Sequence, residues 1–253
     1  MKVIDCHCHL GRYFNFNVPG HSPEDMIKAM DNAGIDISCI SPHMSLTSDN
    51  VRGNRFMLDT VTRYPDRFVG FITYNPHYPE EMKTLVPELF MNPGVGGVKI
   101  HQGTHKTTIK NPSYRYIYEF ASEHRLPVLI HSWDLQTIKN IEEISSEYPE
   151  IKFITGHFGA IPTNMEYAAK VVRSRNNVYG DTTVSMMYEK NIEWLVEIAG
   201  EDKILFGTDT PFYDPRPNIG RILSADITEA AKEKILGRTM ETILGNVKRY
   251  EDS

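Results

Sequence analysis

The sequence predicts an α/β protein built as one (β/α)8 barrel of the TIM type, and three observations carry that expectation. Eight short apolar runs, each the size of a strand, recur from one end of the chain to the other. The residues that close them, His9, His43, Asn75, His101, His131, His157, Thr183 and Asp209, are separated by 34, 32, 26, 30, 26, 26 and 26 positions. Those intervals suit a strand, a helix of about a dozen residues and two short loops. A stretch of helical period lies in each interval. Eight such units favour a closed parallel barrel over an open doubly wound sheet, which usually has fewer strands.

The first run is Val3-Ile4-Asp5-Cys6-His7. Ser22-Pro23-Glu24-Asp25 then supplies an N-cap, a proline at the first helical position and an acidic first turn ahead of Met26, Ile27, Met30 and Ala33, and Gly34 stops the helix. Ile37-Ser38-Cys39-Ile40-Ser41 precedes a helical stretch at 50–64, and Phe68-Val69-Gly70-Phe71-Ile72 one at 79–91. Gly97-Val98-Lys99-Ile100 leads to 112–125, Val128-Leu129-Ile130-His131 to 134–147, and Phe153-Ile154-Thr155-Gly156-His157 to 162–175. Val178-Tyr179-Gly180-Asp181-Thr182 is followed by 189–200, and Ile204-Leu205-Phe206-Gly207-Thr208-Asp209 by 226–244.

Composition sets the outer bounds. With 40% apolar and 24% charged residues, the 253-residue chain has ample surface to bury, which excludes a disordered or collagen-like protein. No linker rich in Pro, Ser or Gly divides it, so residues 1–253 read as a single domain. The net charge of -6 and the lack of a Lys/Arg run disfavour nucleic acid and anionic membranes as partners. No stretch of about 18 apolar residues occurs and the start has no apolar leader, so a soluble cytoplasmic protein is expected. The three cysteines, Cys6, Cys8 and Cys39, imply no disulfide framework.

In a barrel of this kind the active site forms at the C-terminal ends of the strands. His7 and His9 alternate to one side of the first strand and can chelate one ion, with Asp5 sharing their parity as a supporting carboxylate. Cys6 and Cys8 are expected on the other side, as small hydrophobes against the helices. His131, His157 and Asp209 close strands five, six and eight, placing three more groups of metal-ligand or acid–base type on the same rim. His43 and Asn75 face the same mouth as candidate substrate contacts, and Arg216, in the loop after Asp209, is a candidate carboxylate clamp. Tyr13, Phe14 and Phe16 suggest a partly apolar pocket near the first strand. No GxSxG elbow, Walker loop or GxGxxG turn is present, which leaves serine-hydrolase and nucleotide-binding readings without support.

The chain resembles the metal-dependent amidohydrolase superfamily, in its amidohydrolase 2 branch, which includes enzymes of the aminocarboxymuconate-semialdehyde decarboxylase type. The matching pieces are Asp5-Cys6-His7-Cys8-His9, Tyr64-Pro65-Asp66-Arg67-Phe68-Val69-Gly70-Phe71, Gly97-Val98-Lys99-Ile100-His101, Ile130-His131, Gly156-His157-Phe158-Gly159 and Gly207-Thr208-Asp209-Thr210-Pro211. The resemblance implies that His7, His9, His131 and Asp209 hold one divalent ion, with His157 beside its water. It also implies an ambiguous strand-four lysine, Lys99, which bridges two metals in some relatives and here is assigned instead to a substrate carboxylate or to structure. Relatives of this type are often homodimers.

Three imidazoles and a carboxylate suit Zn²⁺, which brings a bound water's pKa down to about 7. Asp209 is therefore expected both to touch the metal and to move a proton, with His157 as base or orienter. The leading expectation is a hydrolase of a small carbonyl substrate such as a lactone or amide. Non-oxidative decarboxylation on the same rim is the alternative, and a non-catalytic ligand-binding barrel is the second.

Overall fold

A computed structural model describes residues 2–183 and 188–252. Eight strands run in sequence order around one sheet: β1 (Ile4–Leu10), β2 (Ile37–Pro42), β3 (Phe68–Thr73), β4 (Val95–Ile100), β5 (Pro127–His131), β6 (Lys152–Gly156), β7 (Val178–Asp181) and β8 (Ile204–Leu205). All seven sequential pairings, from β1 with β2 to β7 with β8, are parallel. Three hydrogen bonds tie the last strand segment back to β1: Cys6 N to Phe206 O at 2.9 Å, Asp209 N to His7 O at 2.9 Å and His9 N to Thr210 O at 2.7 Å. The result is the expected barrel.

The major helices fall where the sequence places them, at Pro23–Ala33, Asn50–Arg63, Pro79–Phe90, Arg115–Glu123, Leu135–Glu147, Pro162–Ser174 and Asn191–Ala199. The first begins as its sequence dictates: the Ser22 side chain accepts from Asp25 N, and Gly34 ends it in the left-handed region at φ 72°. The long loops hold more helix than expected, with Pro215–Leu223 after β8 and short turns at His43–Thr47 and Gln102–His105. Their brevity or their proximity to the strand end hides them from a periodicity search.

The core has two layers. Outward-facing residues such as Ile40, Ile72, Val98, Val128, Ile130 and Phe153 pack against the helices. Ile4, Cys6, Cys39, Phe71, Leu129, Ile154 and Leu205 fill the barrel interior, floored by Met240 and Ile243 from the C-terminal helical stretch. This corrects one expectation. Cys8 lies in the outer layer as anticipated, but Cys6 lies inside. The register of β1 on β2 shifts between Asp5 and Cys8, so the strand carries an irregularity that breaks strict alternation.

The C-terminal stretch closes the floor by a π-helical turn at Lys234–Arg238, which brings the Ile235 carbonyl 2.9 Å from Phe206 N. Gly237 sits against β1 so closely that a Cβ there would lie 2.0 Å from the Lys2 carbonyl oxygen, a backbone atom that cannot swing away. Gly237→Ala should therefore cost about 1–3 kcal/mol and lower the melting temperature. A thermal scan that finds the variant as stable as the wild type would show that the floor yields without cost.

Candidate metal centre and active site

The irregularity in β1 has a chemical consequence. Below it Ile4 and Cys6 point inward; above it His7 and His9 do, and both imidazoles reach the mouth of the barrel. Asp5 is thereby turned away from the imidazole rings. Its Oδ1 accepts from the main-chain N–H groups of His7 and Thr208, each at 3.1 Å, and its Oδ2 accepts from Cys8 Sγ at 2.9 Å and Thr208 Oγ1 at 2.5 Å. Asp5 thus supports the histidines through the backbone, lacing β1 to the turn that carries Asp209. Burial pushes its carboxyl up to about 6, against the hydrogen bonds from Cys8 and Thr208.

Asp209 occupies the left-handed region at φ 63°, where only a well-anchored non-glycine residue persists. The anchors are its own N–H to His7 O and Phe212 N to its carbonyl at 2.8 Å. His157 follows β6 at φ 61° and begins four consecutive residues of positive φ, through Phe158, Gly159 and Ala160. Two of the functional side chains therefore stand on strained backbone at the strand ends.

The imidazole protons can be assigned from their partners. His7 Nδ1 donates to Asp181 Oδ2 at 2.9 Å. His9 Nδ1 lies 3.1 Å from Ser41 Oγ and 3.3 Å from Ser41 O, and because that hydroxyl donates to Cys8 O, His9 Nδ1 is the donor here as well. Both Nε2 atoms then carry lone pairs, and both face one carboxylate oxygen: Asp209 Oδ1 is 3.6 Å from His7 Nε2 and 3.1 Å from His9 Nε2. Asp209 Oδ1 is buried and, among the described residues, accepts no protein hydrogen bond. His157 joins the group, offering a ligand atom that lies with those of His7 and Asp209 inside 4.8 Å. Lone pairs and a negative oxygen gathered around one point need a cation, so the donor set fits a divalent metal.

Burial disfavours the charged form of His9, His43, His101, His131 and His157, which suits ligation. It drives His9, His101 and His131 well below the usual imidazole range, and brings His43 and His157 down to about 4. Asp209 and Asp181 are held below the carboxylate range: burial opposes this, and the imidazoles around them outweigh it. Lys99 is fully buried on β4 with Nζ 2.6 Å from His7 Nε2, and burial lowers it to about 8 against the pull of Asp209 and Asp181.

The remaining candidates fall into three groups. His131 stands one contact away from the His7, His157 and Asp209 group, with Nδ1 3.1 Å from His157 Nε2, and it stacks on His101 at 4.0 Å. His43 stacks on His9 at 4.7 Å and holds Gly11 O through Nδ1. Asn75 and Arg216 are engaged locally: Asn75 Oδ1 accepts from His77 N, and the exposed Arg216 pairs with Asp214 at 3.0 Å. Arg216 lines a cleft of about 430 Å³ together with Phe16, Phe212 and Tyr213, outside the ligand group.

Two aromatic walls flank the centre. Tyr13, Phe16, His43 and Phe212 form a cluster with centroid separations of 4.6 to 5.7 Å beside His9. Across the mouth, half-exposed Trp133 stacks parallel to His131 at 5.7 Å and meets His157 edge-on at 5.6 Å. Trp133, Phe212 and Asp181 were not legible as site residues. Asp181 lies inside the seventh apolar run, but the spacing that marks strand ends points two residues further, to Thr183.

The family model described as Amidohydrolase matches residues 4–245, and the chain belongs to that family. Among solved structures, it is similar to 5-carboxyvanillate decarboxylase from Sphingomonas paucimobilis, at TM-score 0.76 and 16% identity over 96% of this chain and 99% of that one. A dihydroxybenzoic acid decarboxylase from Polaromonas sp. JS666, with bound manganese and the inhibitor 2-nitroresorcinol, matches at 0.72 and 17% over 99% and 98%. The 4-oxalomesaconate hydratase of Rhodopseudomonas palustris matches at 0.68 and 17% over 96% of each chain. At such identities these likenesses speak for the fold.

The neutral buried imidazoles set a pH dependence. Unfolded histidines protonate near 6.5, whereas His43 and His157 in the fold resist protonation down to about 4, so their contribution is present above 6.5 and is lost as pH falls towards 4. With chelator present, urea midpoints should fall steadily from pH 6.5 to 4.5, and His43→Asn should flatten the slope by about 1.4 kcal/mol per pH unit. Stability that rises on acidification across this window would mean that the imidazoles are charged in the fold.

Proposed function

We propose that the protein is a metal-dependent enzyme that removes CO₂, without an oxidant, from a small, flat, conjugated carboxylic acid. The observation that carries this reading is the pair of aromatic clusters beside the ligand group, Trp133 stacked on His131 and Tyr13, His43 and Phe212 packed together next to His9, whose ring faces suit a planar substrate. The decarboxylases of aromatic acids among the structural neighbours support it. In this reading His7, His9, His131 and Asp209 hold one zinc ion, residues 1–253 act as one barrel domain, and the working form is a cytoplasmic homodimer.

When bound, the ion supplies a Lewis-acid charge for the substrate's oxygens. The chain's own residues do the rest. Lys99, the buried cation of the centre, offers its ammonium group as a counter-charge to a substrate carboxylate. Breaking the bond to the carboxylate leaves an electron pair on carbon that must take up a proton, and Asp209 Oδ1, with His157 beside it, is placed to relay that proton. Trp133 and Phe212 orient the plane of the substrate and exclude water, with Asn75 and Arg216 as outer contacts.

Hydrolysis of a lactone or amide is the second reading, because the same Asp209 Oδ1, without a protein donor among the described residues, can take a proton from water and return it to a leaving group. Product analysis separates the two: CO₂ release from a panel of conjugated acids supports the first reading, and a ring-opened acid from a lactone supports the second. Asp209→Asn should nearly abolish turnover with the fold intact. His157→Asn should lose at least about a hundredfold in kcat; metal content retained in that variant makes His157 a base or orienter, and metal lost makes it a ligand. A fully active Asp209→Asn variant would remove Asp209 from the chemistry. Near one equivalent of zinc by elemental analysis, absent in His7→Ala/His9→Ala, is expected; two equivalents would make Lys99 a bridging ligand.

A further inference from the structure

We propose that Asp181, the last residue of β7, is a positioning residue that fixes the proton of His7 on Nδ1 and so keeps Nε2 open towards the metal. The inference rests on the reading of His7 as a metal ligand, and on a division of labour within one buried carboxylate. Asp181 Oδ1 accepts two main-chain N–H groups, His157 at 2.8 Å and Thr183 at 3.1 Å, whose donors cannot be reversed. Asp181 Oδ2 takes the His7 Nδ1 proton at 2.9 Å. Asp181, His7 and Thr183 are all nearly inaccessible to solvent, so no water competes for these positions. Lys99 on the opposite edge of the His7 ring reinforces the assignment, since its ammonium, 2.6 Å away, needs a lone pair on Nε2; a metal ion would take that same lone pair in place of the lysine proton.

The same carboxylate reaches two strands' worth of site. Through Oδ1 it holds the N–H of His157 at the start of the positive-φ segment, and through Oδ2 it orients His7 on β1. Carboxylate–imidazole pairs of this kind raise ligand basicity, and their loss costs about 10–100-fold in metal affinity.

The isosteric variant makes a sharp test. In Asp181→Asn the two main-chain donors hold the amide oxygen in the Oδ1 place, which puts the amide NH₂ against His7 Nδ1. His7 must then accept there and carry its proton on Nε2, pointing at the metal position. Three measurements on the full chain follow. In ¹⁵N-histidine-labelled wild type at pH 8 with chelator, the His7 signals should show protonated Nδ1 and bare Nε2. In Asp181→Asn they should exchange roles, and Zn²⁺ affinity by competition with a chromophoric chelator should fall about 10–100-fold. Asp181→Ala, which removes the acceptor without supplying a donor, should leave a mixed tautomer and an intermediate affinity.

A wild-type His7 protonated on Nε2 overturns the proposal, and needs no variant to fold. So does an Asp181→Asn protein that keeps the Nδ1 proton and binds zinc as the wild type does. The tautomer is read without metal and the affinity without substrate, so neither depends on whether the loaded protein decarboxylates or hydrolyses. Failure of the wild type to take up zinc would sink the metal reading itself, while the tautomer still decides the role of Asp181.

Discussion

At the mouth of the barrel two imidazole lone pairs and a carboxylate oxygen are turned towards one another, 3.1 and 3.6 Å apart, in a setting almost free of solvent. Such an arrangement is unfavourable by itself, because like-signed electron density is brought together where the dielectric screens little. It persists only if a cation stands among the groups. Lys99 supplies one positive charge, and a divalent ion held by His7, His9 and Asp209 would supply the rest of the charge and the coordination that the donors call for. Much of the surrounding structure is explained by the need to hold these groups in place against their repulsion.

Three buried devices do that holding. The register shift in β1 lets Ile4 and Cys6 fill the barrel interior while His7 and His9 still face inward above them. Asp5 accepts four hydrogen bonds, two from within β1 and two from Thr208, and the latter pair ties β1 to the turn that carries Asp209. Asp181 does the same between β1 and the strained segment after β6. Each device replaces side-chain freedom by bonds to main-chain groups, whose positions the barrel sets, so the rim is organised before any ion or substrate arrives.

The walls of the mouth come from loops. The β1 and β8 loops contribute Tyr13, Phe16 and Phe212, and the β5 loop contributes Trp133. The strands that carry the donors are fixed by barrel packing, whereas loops can change without disturbing it. The same fold carries decarboxylases and a hydratase among the similar structures.

Sequence alone determined the barrel, its strand order and the residue types on its rim, because strand-sized apolar runs and near-constant spacing follow from the period of the βα unit, a local property of the chain. The position of His7, His9, His131, His157 and Asp209 at the strand ends was legible for the same reason: each stands at the close of an apolar run. Tertiary structure alone decided the rest. The irregularity in β1 arises from pairing with β2, so alternation misplaced Cys6 and gave Asp5 the wrong neighbours. Asp181 acquires its role from a histidine 174 positions away. Arg216 and Asn75 look free in the sequence and are engaged by Asp214 and His77 in the fold. A sequence pattern records what a residue is and which way its own segment repeats; which lone pair meets which proton depends on distances set by the closure of the whole barrel.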